Sequence, residues 1–313
     1  MQRAYISALL ELAEKDNRVF HILADSGTGF DELFRRNFPD RMLNFGIAEE
    51  NMVGAAAGMA TAGKIPFVYT AGAFLAYRAF EYIRDDVCFQ NLNVKIVGMG
   101  SGLAWGSLGP THHTTEDIAV LRSLPNLMIL SPSTPRQVAE CVKVAYDHIG
   151  PVYIRIGMND ETEFFEETYE LPRCGLDIMH DTECASVDYV LFTTGAILEE
   201  SVEAVQILSA NGANTKLVNV PVIKPFASKY AAEIIRTAKA VFTVEEHSLC
   251  GGLGSILCEC VAENAFAVPV KRIGLADAFA AGYGTQSMVR KQNKLDSKSI
   301  AETISAFIGG MSQ

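Results

Sequence analysis

Two successive trains of short apolar runs, separated by longer amphipathic stretches, constrain this chain more than any other feature. In the first train, 19–24 (VFHILA), 42–45 (MLNF), 66–69 (PFVY), 94–99 (VKIVGM), 127–130 (LMIL) and 152–155 (VYIR) read as strands. The stretches 48–62, 75–90, 115–123 and 135–148 between them read as helices. Strands that alternate with helices of this length belong to parallel sheets covered on both faces. Residues 158–186 break the rhythm with clustered acids and a proline. A second train follows: strands at 189–195, 215–220, 240–247 and 270–275, with helices at 197–211, 228–238, after Gly254 and at 297–308. The pattern predicts two α/β domains, 1–165 and 187–313, each a mainly parallel sheet flanked by helices. A linker is predicted at 166–186.

Charge narrows the ligands. Lys and Arg number 26 against 37 Asp and Glu, a net charge of −11, so no general field draws the chain to nucleic acid or to an anionic membrane. Any anionic ligand must be held by local groups. The seven cysteines are scattered and lie mostly in apolar runs, with no C-x-x-C, as expected for reduced core thiols in a cytoplasmic protein. They suggest no metal site. No apolar run reaches the roughly 18–20 residues of a membrane span, and the N-terminal stretch lacks a signal-peptide pattern.

Each local motif also has a plain structural role to set beside a functional one. The stretch 58–65 (GMATAGKI) falls short of a phosphate-binding P-loop, because no Ser or Thr follows Lys64, and it reads as a helix end. The glycine-rich stretch 98–110 holds no G-x-G-x-x-G frame. It still predicts a strand-end loop whose backbone can approach a ligand, leading into Gly109-Pro110-Thr111-His112-His113. Glu49 and Glu50 open a helix of small residues, where acids favour the helix dipole. Arg155 lies in an apolar strand and needs an anionic partner, either a ligand or an internal carboxylate.

Taken together, FPDRMLNFGIAEENMVGAAAGMA, TAGAFLAYRAFEYIRDDV, GPTHHTTEDIAVLRSLPNLMILSPST, PVYIRIG and TVEEHSLCGGLGS resemble the thiamine-diphosphate transketolase family, in order and over almost the whole chain. The resemblance implies a thiamine-diphosphate pyrimidine-binding fold followed by a transketolase C-terminal-like fold. It implies the C-terminal subunit of a split transketolase, which moves a two-carbon ketol unit from a ketose phosphate to an aldose acceptor. No G-D-G diphosphate and metal signature occurs in these residues. The implied partner is therefore an N-terminal subunit that holds the diphosphate and Mg²⁺ (or Ca²⁺). An α2β2 assembly is implied, with self-association through the β-subunit.

Residue by residue, the resemblance places Glu49, rather than Glu50, on a ring nitrogen of the cofactor's aminopyrimidine, where it promotes loss of the thiazolium proton. Phe74 and Tyr77 match the aromatic segment that stacks on the pyrimidine, and Asp25 matches an acid at the cofactor edge. His112 is the implied substrate-contacting histidine. Arg155 is implied to hold the acceptor's phosphate, and Ser101 to contact substrate.

Two positions depart from the long transketolases: Leu108 stands where they have Asp, and Gly100 where they have His. Both put the sugar specificity in question. The rival readings are a deoxyxylulose-phosphate-synthase-like chain, a 2-oxoacid dehydrogenase decarboxylase β-subunit, or a non-catalytic binding or regulatory subunit on the same fold.

Overall fold

The computed structural model describes residues 1–25, 29–159, 161–180 and 187–311. Its first sheet is built from β1 (Val19–Leu23), β2 (Met42–Asn44), β3 (Ile65–Ala71), β4 (Lys95–Met99), β5 (Met128–Leu130) and β6 (Val152–Ile156). The second is built from β7 (Asp177–His180), β8 (Tyr189–Thr194), β9 (Thr215–Asn219), β11 (Ala240–Ser248) and β12 (Val270–Leu275), whereas β10 (Val222–Lys224) crosses to the first. The orders are β10-β5-β6-β4-β3-β1-β2 and β12-β11-β8-β9-β7. Pairing is parallel except at the two edges supplied by β10 and β7. Two mainly parallel sheets flanked by helices is the architecture the alternation predicts.

All seven residues of β3 and all five of β4 and β6 are buried, which is why these strands read as near-continuous apolar runs apart from Thr70, Lys95 and Arg155. Helix Pro135–Asp147 begins where Thr134 accepts a hydrogen bond from the Gln137 N–H at 3.3 Å and Pro135 occupies the first turn. Helix Glu49–Thr61 carries two acids in its first turn, and the chain leaves its end through Gly63 at φ +81°.

Three features differ from the sequence reading. The predicted linker 166–186 contains β7, which pairs antiparallel with β9, so its residues 177–180 belong to the second sheet; residues 181–186 lie outside the described part. The three-residue β10 pairs with β5 and ties the second half of the chain to the first sheet. Helix Gln2–Lys15, unassigned from sequence, packs Tyr5, Ile6 and Leu9 into the core under that sheet.

Backbone hydrogen bonds join the two domains. Ser248 N–H donates to Thr115 O at 2.7 Å, and Gly284 N–H to Gly106 O at 3.1 Å. Within the second domain, Glu245 accepts from the Leu253 and Gly254 N–H groups at 2.7 and 2.8 Å, satisfying the start of helix Leu253–Glu263. Arg290 Nε donates to Glu246 at 2.7 Å. His247 Nε2 accepts from the Ala119 N–H at 3.3 Å, so the VEEH run also reaches across to the first domain.

Candidate functional site

The C-terminal ends of β1, β3, β4 and β6 and the segment after β2 converge on one cleft of about 520 Å³. In an open parallel sheet this is where ligands bind, because the loops there diverge from the strands. Glu49 and Ile47 enter from the segment after β2. Thr70, Ala71, Phe74 and Arg78 enter from the end of β3. Met99, Trp105, Leu108 and His112 follow β4, and Met158 follows β6.

Glu49 is 2% exposed although it opens a helix, and its partner is the Arg78 guanidinium. Arg78 also lies over the Phe74 ring, 4.6 Å from its centroid. The Phe74 ring meets His112 edge-on at 5.2 Å, and Trp105 meets His112 at 6.1 Å. A carboxylate, an aromatic ring and an imidazole thus face one cavity in a continuous chain of contacts. His112 Nδ1 lies 2.9 Å from Thr111 Oγ1. His113, its neighbour, points into the interior, where burial lowers its proton affinity and neither ring nitrogen has a hydrogen-bond partner among the described residues.

The structure sorts the residues predicted from sequence. Glu49, Phe74, His112 and Asp25 line the cleft, with Asp25 exposed at its rim. Glu50, half-buried on the same helix, does not line it. Tyr77 does not line it either. Its hydroxyl donates to Glu116 Oε2 at 2.7 Å and accepts from the Glu116 N–H at 2.9 Å, and burial raises its pKa well above the usual phenol range. Residues Phe74–Arg78 form a π turn, closed by the Ala79 N–H on Phe74 O at 3.3 Å. A π turn holds one residue more than an α turn and re-aims the side chains that follow. That extra residue puts Arg78 beside Glu49 and sends Tyr77 to Glu116.

Arg155 requires a correction. It is 2% exposed, its Nε donates to Asp117 at 2.9 and 3.1 Å, and its Nη2 donates to Thr114 O and Glu246 O at 3.0 Å. Asp117 also accepts from the Tyr153 hydroxyl at 2.8 Å. The internal carboxylate, rather than a ligand phosphate, is the anion this arginine needed. Ser101 is likewise buried and off the cleft wall, its Oγ without a partner among the described residues. Sequence reasoning missed Arg78, Trp105 and Met158 as lining residues. Arg78 stood inside a quoted motif and Trp105 inside the glycine-rich stretch, while Met158 lies three residues past Arg155.

Comparison with known proteins agrees with the geometry. The family "Transketolase, pyrimidine binding domain" matches residues 1–159, and "Transketolase, C-terminal domain" matches residues 181–300. The chain is 36% identical to a subunit of the apulose-4-phosphate transketolase of Actinobacillus succinogenes, covering 90% of this chain and 89% of the relative. It is also 36% identical to a putative transketolase C-terminal section of Methanocaldococcus jannaschii, over 97% and 95%. A solved structure described as a split gene transketolase, inactive beta4 tetramer, superposes with a TM-score of 0.86 at 32% identity, over 97% and 96%. This chain belongs to the transketolase family, and it carries that family's pyrimidine-binding and C-terminal domains.

Proposed function

We propose that this chain is the C-terminal subunit of a cytoplasmic, thiamine-diphosphate-dependent transketolase, assembled as α2β2 with an N-terminal subunit that supplies the diphosphate and Mg²⁺ (or Ca²⁺) contacts. The observation that carries the reading is the single cleft at the strand ends, where buried Glu49 and the Phe74 ring face the same space as His112. A buried carboxyl beside an aromatic face suits a flat, nitrogen-bearing ring, so the residues fit an aminopyrimidine.

Thiamine diphosphate, when bound, supplies the carbon that carries the two-carbon unit between ketose and aldehyde. Glu49 would hold a ring nitrogen of the pyrimidine through a carboxyl hydrogen bond, and its helix-start position fixes that carboxyl in the wall. Phe74 offers the stacking face. His112, tethered by Thr111, is placed to bond a substrate oxygen through its remaining ring nitrogen. Arg155 takes no part in holding substrate. Among the described residues, Arg78 is the one arginine or lysine that lines the cleft, and it is paired with Glu49.

The reading is tested by co-expressing the chain with a candidate N-terminal subunit and measuring ketol transfer. The complex should bind thiamine diphosphate, rise in melting temperature by mass action, and transfer ketol units. The isolated chain should do none of these. Full activity of the isolated chain would contradict it.

A further inference from the structure

The two groups that suit a flat, nitrogen-bearing ring are both engaged, and by the same side chain. Arg78 Nη1 donates to Glu49 Oε2, and the Arg78 guanidinium carbon stands 4.6 Å from the centroid of the Phe74 ring. A guanidinium is itself planar, carries nitrogens at its edge and stacks on aromatic faces. It meets a carboxylate and an aromatic ring at once, the two contacts that an aminopyrimidine would make here. Glu49 is buried and opens helix Glu49–Thr61, so its carboxylate has little room to move aside. A ring that bonds this carboxylate and lies on the same side of Phe74 has to take the volume in which Arg78 sits.

Charge works against sharing that volume. The arginine stays charged and its N–H groups only donate, so it competes with a ring nitrogen for the same carboxylate oxygens. Arg78 has somewhere to go. Its side chain is 38% exposed, and the guanidinium reaches water by rotation about its own bonds. The turn that carries it stays put, because Leu75 and Ala76 are buried and Tyr77 bonds Glu116 twice. Phe74 and Arg78 are the first and last residues of that π turn, a helix distortion frequent at functional sites. The hold on Arg78 is moderate: a screened ion pair and one cation–π contact, together worth about three- to thirtyfold in an equilibrium.

Resting on the transketolase reading above, we propose that Arg78 is a gate on cofactor loading. In the unloaded chain its guanidinium occupies the pyrimidine's place between Glu49 and Phe74, and loading requires it to swing out to solvent. No covalent bond forms or breaks in this exchange. Until then the arginine keeps a buried carboxylate paired, which would otherwise stand charged and dry.

The test uses the assembled, cofactor-free complex and two probes followed by calorimetry. One is thiamine diphosphate. The other is 4-amino-5-hydroxymethyl-2-methylpyrimidine, which carries the ring without the diphosphate and is held at a pH where it is uncharged. Arg78→Ala should bind both about three- to thirtyfold more tightly than the wild type. Raising salt from about 0.05 to about 0.5 M should loosen the Arg78–Glu49 pair and tighten the fragment's binding to the wild type by about twofold or more. The salt response needs no substitution, so it decides the question even where Arg78→Ala folds poorly. Wild-type or weaker binding by a folded Arg78→Ala complex, or a wild-type fragment affinity that does not rise with salt, would overturn this inference and leave the transketolase reading standing. A wild-type complex that does not bind thiamine diphosphate would overturn both.

Discussion

Arg155 and Asp117 form a buried pair in which the guanidinium Nε reaches both carboxylate oxygens, at 2.9 and 3.1 Å, with side chains 2% and 0% exposed. The pair sits where the two domains meet, since the same guanidinium also bonds Glu246 O. Removing one member leaves the other charged and dry. Arg155→Ala should therefore cost about 3–5 kcal/mol of stability. Thermal unfolding should show a drop on the order of 6–20 °C. An unchanged melting temperature, with KM raised for phosphorylated substrates alone, would return Arg155 to the substrate.

Arg78 and Glu49 should be energetically coupled in the cofactor-free chain. Arg78 is 38% exposed at its side chain, so solvent screens the pair and its worth falls below that of Arg155–Asp117. Arg78→Ala alone should destabilise by about 1–2 kcal/mol, because it leaves buried Glu49 without its counter-ion. In the double variant with Glu49→Gln, much of that loss should disappear. A double-mutant cycle by denaturant unfolding measures the coupling, and strict additivity would show that the pair contributes nothing.

Asp177 gives a pH signature. Burial pushes its carboxyl up to about 6, while Tyr169, Asn219 and Gln137 donate to it at 3.1, 3.3 and 2.7 Å. A carboxyl raised in the folded state favours folding below its unfolded value and loses that contribution as pH rises through about 6. Asp177→Asn removes the titration. The stability of the variant relative to wild type should therefore rise between about pH 4 and pH 7, by up to about 3 kcal/mol. A difference that stays flat with pH would contradict the assignment.

The core strands were legible because buried parallel strands need near-continuous apolar runs, which β3 and β4 display apart from Thr70 and Lys95. β10 was not, since its three residues are bracketed by Pro221 and Pro225, which read as turn punctuation. β7 was hidden in an acid-rich stretch and is held as an edge strand by its antiparallel pairing with β9. At the site, the choice of Glu49 over Glu50 came from the family resemblance, since the helix start alone reads both as dipole-favouring acids; Glu49 lines the cleft and Glu50 does not. Tyr77 was misplaced because a π turn leaves no mark in residue spacing, and its extra residue turns the ring toward Glu116. Arg155 was ambiguous in principle. Sequence showed that the arginine needs an anion, but Asp117 becomes its neighbour only through the fold.

The central claim is that the cleft bounded by Glu49 and Phe74 is where this chain meets the cofactor and supports ketol transfer. Paired variants of adjacent carboxyls test it most directly: Glu49→Gln and Glu50→Gln, each assembled with the N-terminal subunit, compared for thiazolium proton exchange by NMR and for kcat. Glu49→Gln should keep the fold and the partner yet lower both rates by about 10²–10⁴-fold, since it removes the carboxyl proton that the step uses. Glu50→Gln, which does not line the cleft, should stay within a few-fold of wild type. Equal losses in the two variants, or a fully active Glu49→Gln complex, would contradict the account.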